Sequence, residues 1–277
     1  MIADTPQANP ERADKLAYYL LKAMNKALRQ YCMLREGDEV LVAVSGGKDS
    51  MTLLDLLHRR QRTSREHVRL HVCHLESDFG CGRRVPAEWL AGWCRARDLP
   101  LVTRRLVIAE EIQAMTKSRC WRCAWHRRRA LFDAAAELGC NKLAFGHHAD
   151  DIVETILINL FYNARLDRME PKMRLFDGRL VVIRPLTYVE ERDILPFVRA
   201  SGFPIEGAPC PMGLDSRRAQ VRAILRQLEA DSYDVKRAIF AAAERVSLAT
   251  GTRRRQRLAL ADRPEASDDP EVSPPEG

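Results

Sequence analysis

Three stretches carry residue types and spacings suited to chemistry. Val42-Ala43-Val44-Ser45-Gly46-Gly47-Lys48-Asp49-Ser50 is an apolar run ending in a glycine turn. Its two glycines permit a tight bend and close approach of the backbone to a ligand. The N–H groups opening the next helix favour an anion. Ser45 and Ser50 add hydroxyl donors there, and Lys48 adds charge. The GxxxxGK[ST] spacing of ordinary nucleotide loops is absent. Cys120-Trp121-Arg122-Cys123 sets two thiols one turn apart on one helix face. The helix start and Arg119, Arg122, Arg127, Arg128 and Arg129 favour thiolates. One such pair admits a redox disulfide, half a zinc site or part of an iron–sulfur site. In the third stretch, Phe145-Gly146-His147-His148-Ala149-Asp150-Asp151, Gly146 allows close approach at a strand end. Asp150 and Asp151 open the following helix, as simple caps or as carboxylates beside Mg²⁺ or a moving proton.

A third thiol, Cys210, lies in Gly207-Ala208-Pro209-Cys210-Pro211-Met212-Gly213, a rigid loop able to return to the sheet edge. Three thiolates leave one metal position open, which suits a reactive centre better than a closed structural zinc site. Cys32, Cys73, Cys94 and Cys140 sit in apolar patterns and read as core thiols. Cys81 reads as a loop thiol, with a fourth ligand or a sulfur carrier as the sharper alternative.

These residues need elements to hold them. Residues 11–34 have helical apolar spacing. Strands are predicted at 39–44, 68–75, 101–107, 142–145 and 180–183. Helices alternate with them: from Asp49, and over 87–97, 120–138, 149–161 and 190–201. The alternation predicts an α/β fold, a mostly parallel sheet with helices on both faces. Ligands then bind beyond the C-terminal strand ends. Residues 214–229 and 233–248 read as two packed helices. The expected organisation is an N-terminal helical segment 1–35, an α/β domain 36–205 carrying the glycine turn, a helical region 206–250 holding the third cysteine, and a disordered tail 251–277.

The chain has 277 residues, 46% hydrophobic and 30% charged, which excludes collagen-like, coiled-coil and wholly disordered classes. No apolar run is long enough for a membrane helix, and no secretory signal opens the chain, so no membrane partner and a cytoplasmic location are expected. The net charge is +7, and without the acidic stretch 261–277 it is +12, which suits a polyanionic partner.

The complete SGGKDS after a strand and before a helix resembles the pyrophosphate loop of the ATP pyrophosphatase superfamily, the PP-loop nucleotide α-hydrolases. The order SGGKDS, CxxC, GHHADD and a proline-flanked cysteine resembles the tRNA 2-thiocytidine synthetase family, TtcA. Leu160-Phe161-Tyr162-Asn163, Met169-Glu170-Pro171-Lys172 and Val182-Ile183-Arg184-Pro185-Leu186 extend the likeness over residues 35–225. The resemblance implies that ATP adenylates the C2 oxygen of a tRNA cytidine at position 32, and that sulfur then displaces AMP to give 2-thiocytidine. It implies ATP, Mg²⁺ and a 4Fe–4S cluster as cofactors. By the same likeness Cys120, Cys123 and Cys210 hold the cluster and are catalytic with Asp49 and Asp150. Ser45, Gly46, Gly47, Lys48, Asp49, Ser50, Gly146, His147 and Asp151 bind the nucleotide. The implied partners are tRNA, a sulfur donor such as a cysteine desulfurase, and a second copy in a homodimer. The family's last motif is commonly PCxxCG-like, and this chain has Gly213 where the second cysteine falls.

Arg184, Lys172 and the 165–168 region are candidates for tRNA phosphate contacts. Trp121 and Trp125 read as core residues, with base stacking as the alternative. Three rival functions are a 2-thiouridine thiolase, an ATP-dependent amidating or lysine-ligating enzyme, and a non-catalytic zinc-binding RNA module.

Overall fold

The computed structural model describes residues 8–79, 82, 84–116, 119–208, 216–232 and 234–249. Cys81, Cys210 with its loop, and the tail 251–277 lie outside them. Among the described residues are strands β1 (Glu39–Val44), β2 (Arg69–Ser77), β3 (Leu101–Leu106), β4 (Lys142–Ala144), β5 (Lys172–Leu175) and β6 (Leu180–Ile183). Their order is β3-β2-β1-β4-β6-β5, parallel except for the β5–β6 hairpin at one edge. The helices are α1 (Pro10–Gln30), α2 (Lys48–Gln61), α3 (Ala87–Arg95), α4 (Ala109–Ala114), α5 (Arg119–Glu137), α6 (Ala149–Asn163), α7 (Glu191–Ser201), α8 (Arg217–Asp231) and α9 (Val235–Ala249).

The period of two in β1 builds both layers. Val40, Val42 and Val44 join Val72, Ile183 and residues of α1, α2, α3 and α7 in one core. Leu41 and Ala43 point the other way, against Cys73, Leu143, Val182 and the α5 residues Leu131, Ala134 and Ala135. Helices therefore cover both faces. Apolar residues of α8 and α9 pack on α6, Val221 and Leu225 against Val153 and Leu157, and Ala243 against Ile152 and Ile156. No helix among the described residues is long and apolar enough to cross a membrane.

Three departures from the sequence reading have physical causes. Helix α1 ends at Gln30 rather than near residue 34 because Cys32 takes a left-handed φ of 45°. The Cys32 and Met33 amides turn back to the Arg29 and Leu28 carbonyls, a Schellman closure with cysteine where glycine is usual. Cys32 is consequently exposed, which corrects its reading as a core thiol, whereas Cys73, Cys94 and Cys140 are buried. Burial pushes these three thiols up to about 11. Helix α4 is held by a distant group, since the Asp78 carboxylate accepts the Ile108 and Ala109 amides at 2.8 and 3.0 Å. Strand β5 is four residues long with only Leu175 buried, so it carries little alternation to read.

Candidate active site

The loop Ser45–Gly47 leaves β1 at the sheet's C-terminal edge and opens α2. Ser45 Oγ accepts the Gly47 amide at 3.3 Å and lies 3.2 Å from Ser50 Oγ, which donates to the Gly47 carbonyl at 2.9 Å. Gly46 has φ +81°, and a Cβ there would meet Arg84 Cβ at 2.9 Å. The glycine thus lets Arg84 and Val85 close over the loop, and the Val85 amide bonds the Gly46 carbonyl at 2.9 Å.

The neighbouring strand β4 delivers the second motif. A Cβ on Gly146 would lie 2.9 Å from the Asp49 carbonyl oxygen and 3.0 Å from the Ser50 nitrogen. Those are backbone atoms of α2's first turn and have little room to yield. Gly146→Ala is therefore expected to destabilise the protein by about 1–3 kcal/mol through overpacking, with pyrophosphate release from ATP lowered in parallel. Urea unfolding and a pyrophosphate assay on the same preparation check both.

Charges interlock around these two elements. Lys48 Nζ bonds the Asp49 carboxylate at 2.7 Å and Glu191 Oε1 at 2.9 Å. Burial works to lower the Lys48 ammonium, but Asp49 and Glu191 together hold it above its ordinary value. Burial raises Asp49 above the usual carboxylate range against the pull of His148 and Lys48. His148 Nε2 lies 3.6 Å from Asp49 Oδ1 and 3.5 Å from Asp151 Oδ2, and His148 Nδ1 lies 3.4 Å from Asp150 Oδ2. Burial opposes charge on this imidazole, yet the three carboxylates raise its pKa. Asp151 also accepts the His148 amide at 3.1 Å, closing the start of α6. Burial opposes ionisation of Asp151, and its interactions with His148, His147 and Arg218 outweigh it and lower its pKa.

Asp150 is committed to the frame. Its Oδ1 meets Lys236 Nζ of α9 at 2.8 Å, and its Oδ2 accepts the Glu191 amide of α7 at 2.7 Å. Burial opposes ionisation here too, but His148, Lys236 and that amide hold the carboxyl well below the usual range. A cavity of about 350 Å³ lies beside it, lined by Asp150, Thr187, Tyr188, Lys236 and Phe240 among others, with no residue of the glycine loop in its wall.

His147 has the opposite bias to His148. Burial and the Arg184 charge push it down to about 4. The unfolded chain takes up this proton below its ordinary 6.5 and the folded chain only below about 4. Across that window the unfolded state holds more protons, so the contribution of His147 to stability is complete above 6.5 and lost as pH falls toward 4. His148 contributes in the reverse sense, present below its ordinary pKa and lost as pH rises through its folded one. His147→Gln is expected to flatten the acid loss, which chemical unfolding inside and above the window checks.

The cysteine pair opens α5, with Cys120 exposed and Cys123 partly buried. Trp121 between them is 45% exposed, which corrects its reading as a core residue. Trp125 lies under two guanidinium groups, Arg122 at 4.7 Å and Arg129 at 5.4 Å. Arg122 and His126 both pair with Glu111, fastening α5 to α4. Among the described residues no group of three or more His, Cys, Asp or Glu side chains is arranged to hold a metal ion; two of the three expected cluster ligands are described, and Cys210 is outside.

The structure brings together Ser45, Gly46, Gly47, Lys48, Asp49, Ser50, Gly146, His147, His148, Asp150 and Asp151. Sequence reasoning missed Glu191 and Lys236, which arrive from α7 and α9 with no local motif to mark them. Three of the expected tRNA contacts have partners within the fold, while Arg165 is exposed: Lys172 Nζ bonds the Cys32 carbonyl, Arg184 Nη1 bonds the Glu170 carbonyl, and the largely buried Arg168 faces Glu244 at 3.7 Å.

A parallel sheet with an anion-ready glycine loop after its central strand defines a class, and the family model described as PP-loop domain matches residues 17–228. The tRNA-cytidine(32) 2-sulfurtransferase of Geobacter sulfurreducens is 38% identical over 236 residues, covering 84% of this chain and 91% of the relative. That of Anaeromyxobacter dehalogenans strain 2CP-C is 39% identical over 240 residues, covering 82% and 78%. The chain belongs to this family of PP-loop proteins, the tRNA-cytidine(32) 2-sulfurtransferases. In fold it is similar to the U34-tRNA thiolase NcsA from Methanococcus maripaludis, solved with its [4Fe-4S] cluster, at a TM-score of 0.68 and 22% identity over 84% of this chain and 79% of that one.

Proposed function

We propose that this protein is an ATP-dependent tRNA sulfurtransferase that converts cytidine 32 to 2-thiocytidine. The observation that carries the reading is the family likeness over 84% of the chain joined to a thiol pair opening α5. The C2 oxygen of the base attacks the α-phosphorus of ATP, and pyrophosphate leaves. Sulfur then bonds to C2, and the C–O bond breaks with the oxygen departing in AMP.

The loop amides, Ser45, Ser50 and Lys48 hold the departing pyrophosphate. Asp49 and Asp151, both within 3.6 Å of His148 Nε2, are the carboxylates to hold Mg²⁺, which when bound neutralises phosphate charge. Asp150 acts by bracing α6 against α7 and α9, since both of its oxygens are already occupied. Cys120 and Cys123, an exposed and a half-buried thiol in an Arg-rich segment, together with Cys210, would hold a 4Fe–4S cluster by donor type; such a cluster would supply a metal position for the sulfur. The exposed Arg129 on the same helix suits a tRNA phosphate. A cytoplasmic place, a sulfur donor of the cysteine desulfurase class and a homodimer complete the reading.

The test is anaerobic protein given ATP, sulfide and tRNA, followed by nucleoside mass spectrometry. The expected product is 2-thiocytidine at position 32, dependent on ATP and absent for Cys120→Ala, Cys123→Ala and Cys210→Ala, each of which also loses iron and acid-labile sulfide. Full activity in all three variants would favour an amidating or lysine-ligating chemistry instead. Zinc alone, with tRNA bound and no pyrophosphate released, would favour the non-catalytic module.

A further inference from the structure

Past the ends of β4 and β6 lies a set of nitrogen groups that none of these roles uses. The two strands are neighbours; Arg184 directly follows β6, and His147 lies three residues beyond β4. Arg184 commits Nη1 to the Glu170 carbonyl, while its Nε is buried without a hydrogen-bond partner. His147 Nδ1 is likewise buried and unpartnered. Burial and the nearby Arg128 guanidinium push Arg184 down to about 10, which Glu170 offsets only in part. Arg128 comes from α5, the cysteine helix, and is exposed, although the desolvation its guanidinium still feels lowers its pKa.

A buried guanidinium with a spare donor and a second cation beside it burdens the folded state unless a ligand neutralises it. A neutral imidazole next to it supplies a further donor without adding charge. The position is also the crevice beyond the carboxyl ends of a parallel sheet, where ligands of such folds sit. We propose that Arg184 and His147, with Arg128 at the mouth, form an oxyanion site for a phosphate ester during adenylation. Two sources share that chemistry: the α-phosphate of the nucleotide, and a backbone phosphate of the RNA flanking the target base. The inference deepens the sulfurtransferase reading and rests on it.

The test is equilibrium binding to the full-length protein, without turnover. The probes are AMP, adenosine, inorganic pyrophosphate and an anticodon stem-loop RNA, against wild type, Arg184→Met, Arg184→Lys and Arg128→Met. Arg184→Met is expected to weaken AMP or the RNA about tenfold, the loss of one charge-assisted phosphate contact, with adenosine and pyrophosphate unchanged and Arg184→Lys recovering part. Weakening confined to AMP assigns the nucleotide phosphate; weakening confined to the RNA assigns the backbone phosphate. Unchanged binding of both overturns the site. Should Arg184→Met fail to fold, Arg128→Met at its exposed position decides: a loss of about threefold supports the site, and wild-type affinity for both probes overturns it. Failure of wild type to bind pyrophosphate would instead sink the adenylation reading, a result distinct from any of these.

Discussion

Lys48→Met is expected to slow pyrophosphate release from ATP by about 10²–10³-fold, the scale of losing one preorganised electrostatic group in a closed site. Lys48 stands between Asp49 and Glu191, at 2.7 and 2.9 Å. Its removal takes away charge for the departing phosphates and leaves two carboxylates without their shared cation. Asp49 is already raised by burial, and Lys48 is one of the groups holding it down. The variant's residual activity should therefore need a higher pH than wild type, because Asp49 must still ionise. A pH–rate profile of pyrophosphate release tests this. A slow variant with an unshifted profile would mean that Lys48 acts on the phosphates alone, and wild-type rates would remove Lys48 from the site.

The second large effect concerns the attachment of α8 to α6. Glu154 is 2% exposed, yet both partners reach it from the surface: Arg222 Nε at 2.7 Å and Arg218 Nη1 at 2.8 Å, each 40% exposed in its side chain. The pairing is asymmetric. Deleting the carboxylate frees two arginines that water can solvate, whereas deleting both arginines strands a buried charge. The double variant Arg218→Ala/Arg222→Ala is expected to lose about 3–5 kcal/mol of stability. Glu154→Leu alone should lose less, and adding it to the double variant should restore part of the loss. Urea unfolding of the four proteins closes the cycle. Equal losses for the carboxylate and the double arginine variant would show that solvation of the partners does not govern the pair.

Much of the fold and the site was readable before any coordinates. Strand–helix alternation is a local pattern, and so is a glycine turn between β1 and α2. Both motifs of the candidate site are therefore legible in short stretches, Ser45–Ser50 and Gly146–Asp151. The unreadable part is long-range. Glu191 and Lys236 have ordinary neighbours in sequence, and only packing brings one to Lys48 and the other to Asp150. The Asp78 carboxylate opens α4 from thirty residues upstream. Arg184 looked like a surface cation because composition gives no sign of depth. The end of α1 was misplaced because Cys32 adopts a turn conformation that the residue type disfavours.

The strand order also sets a timetable for synthesis. Strand β1, which carries the glycine loop, pairs on one side with β2, soon after it in the chain. Its other neighbour is β4, where Val40 meets Lys142 about a hundred residues later. At roughly 5–20 residues per second, the bonding edge of β1 on that side waits about 5–20 s on the ribosome for its partner. During that interval the nascent chain presents an unpaired, apolar Val-Leu-Val-Ala-Val edge to its surroundings. The glycine loop of the finished protein thus hangs on a strand whose far edge stays open while the chain is being made.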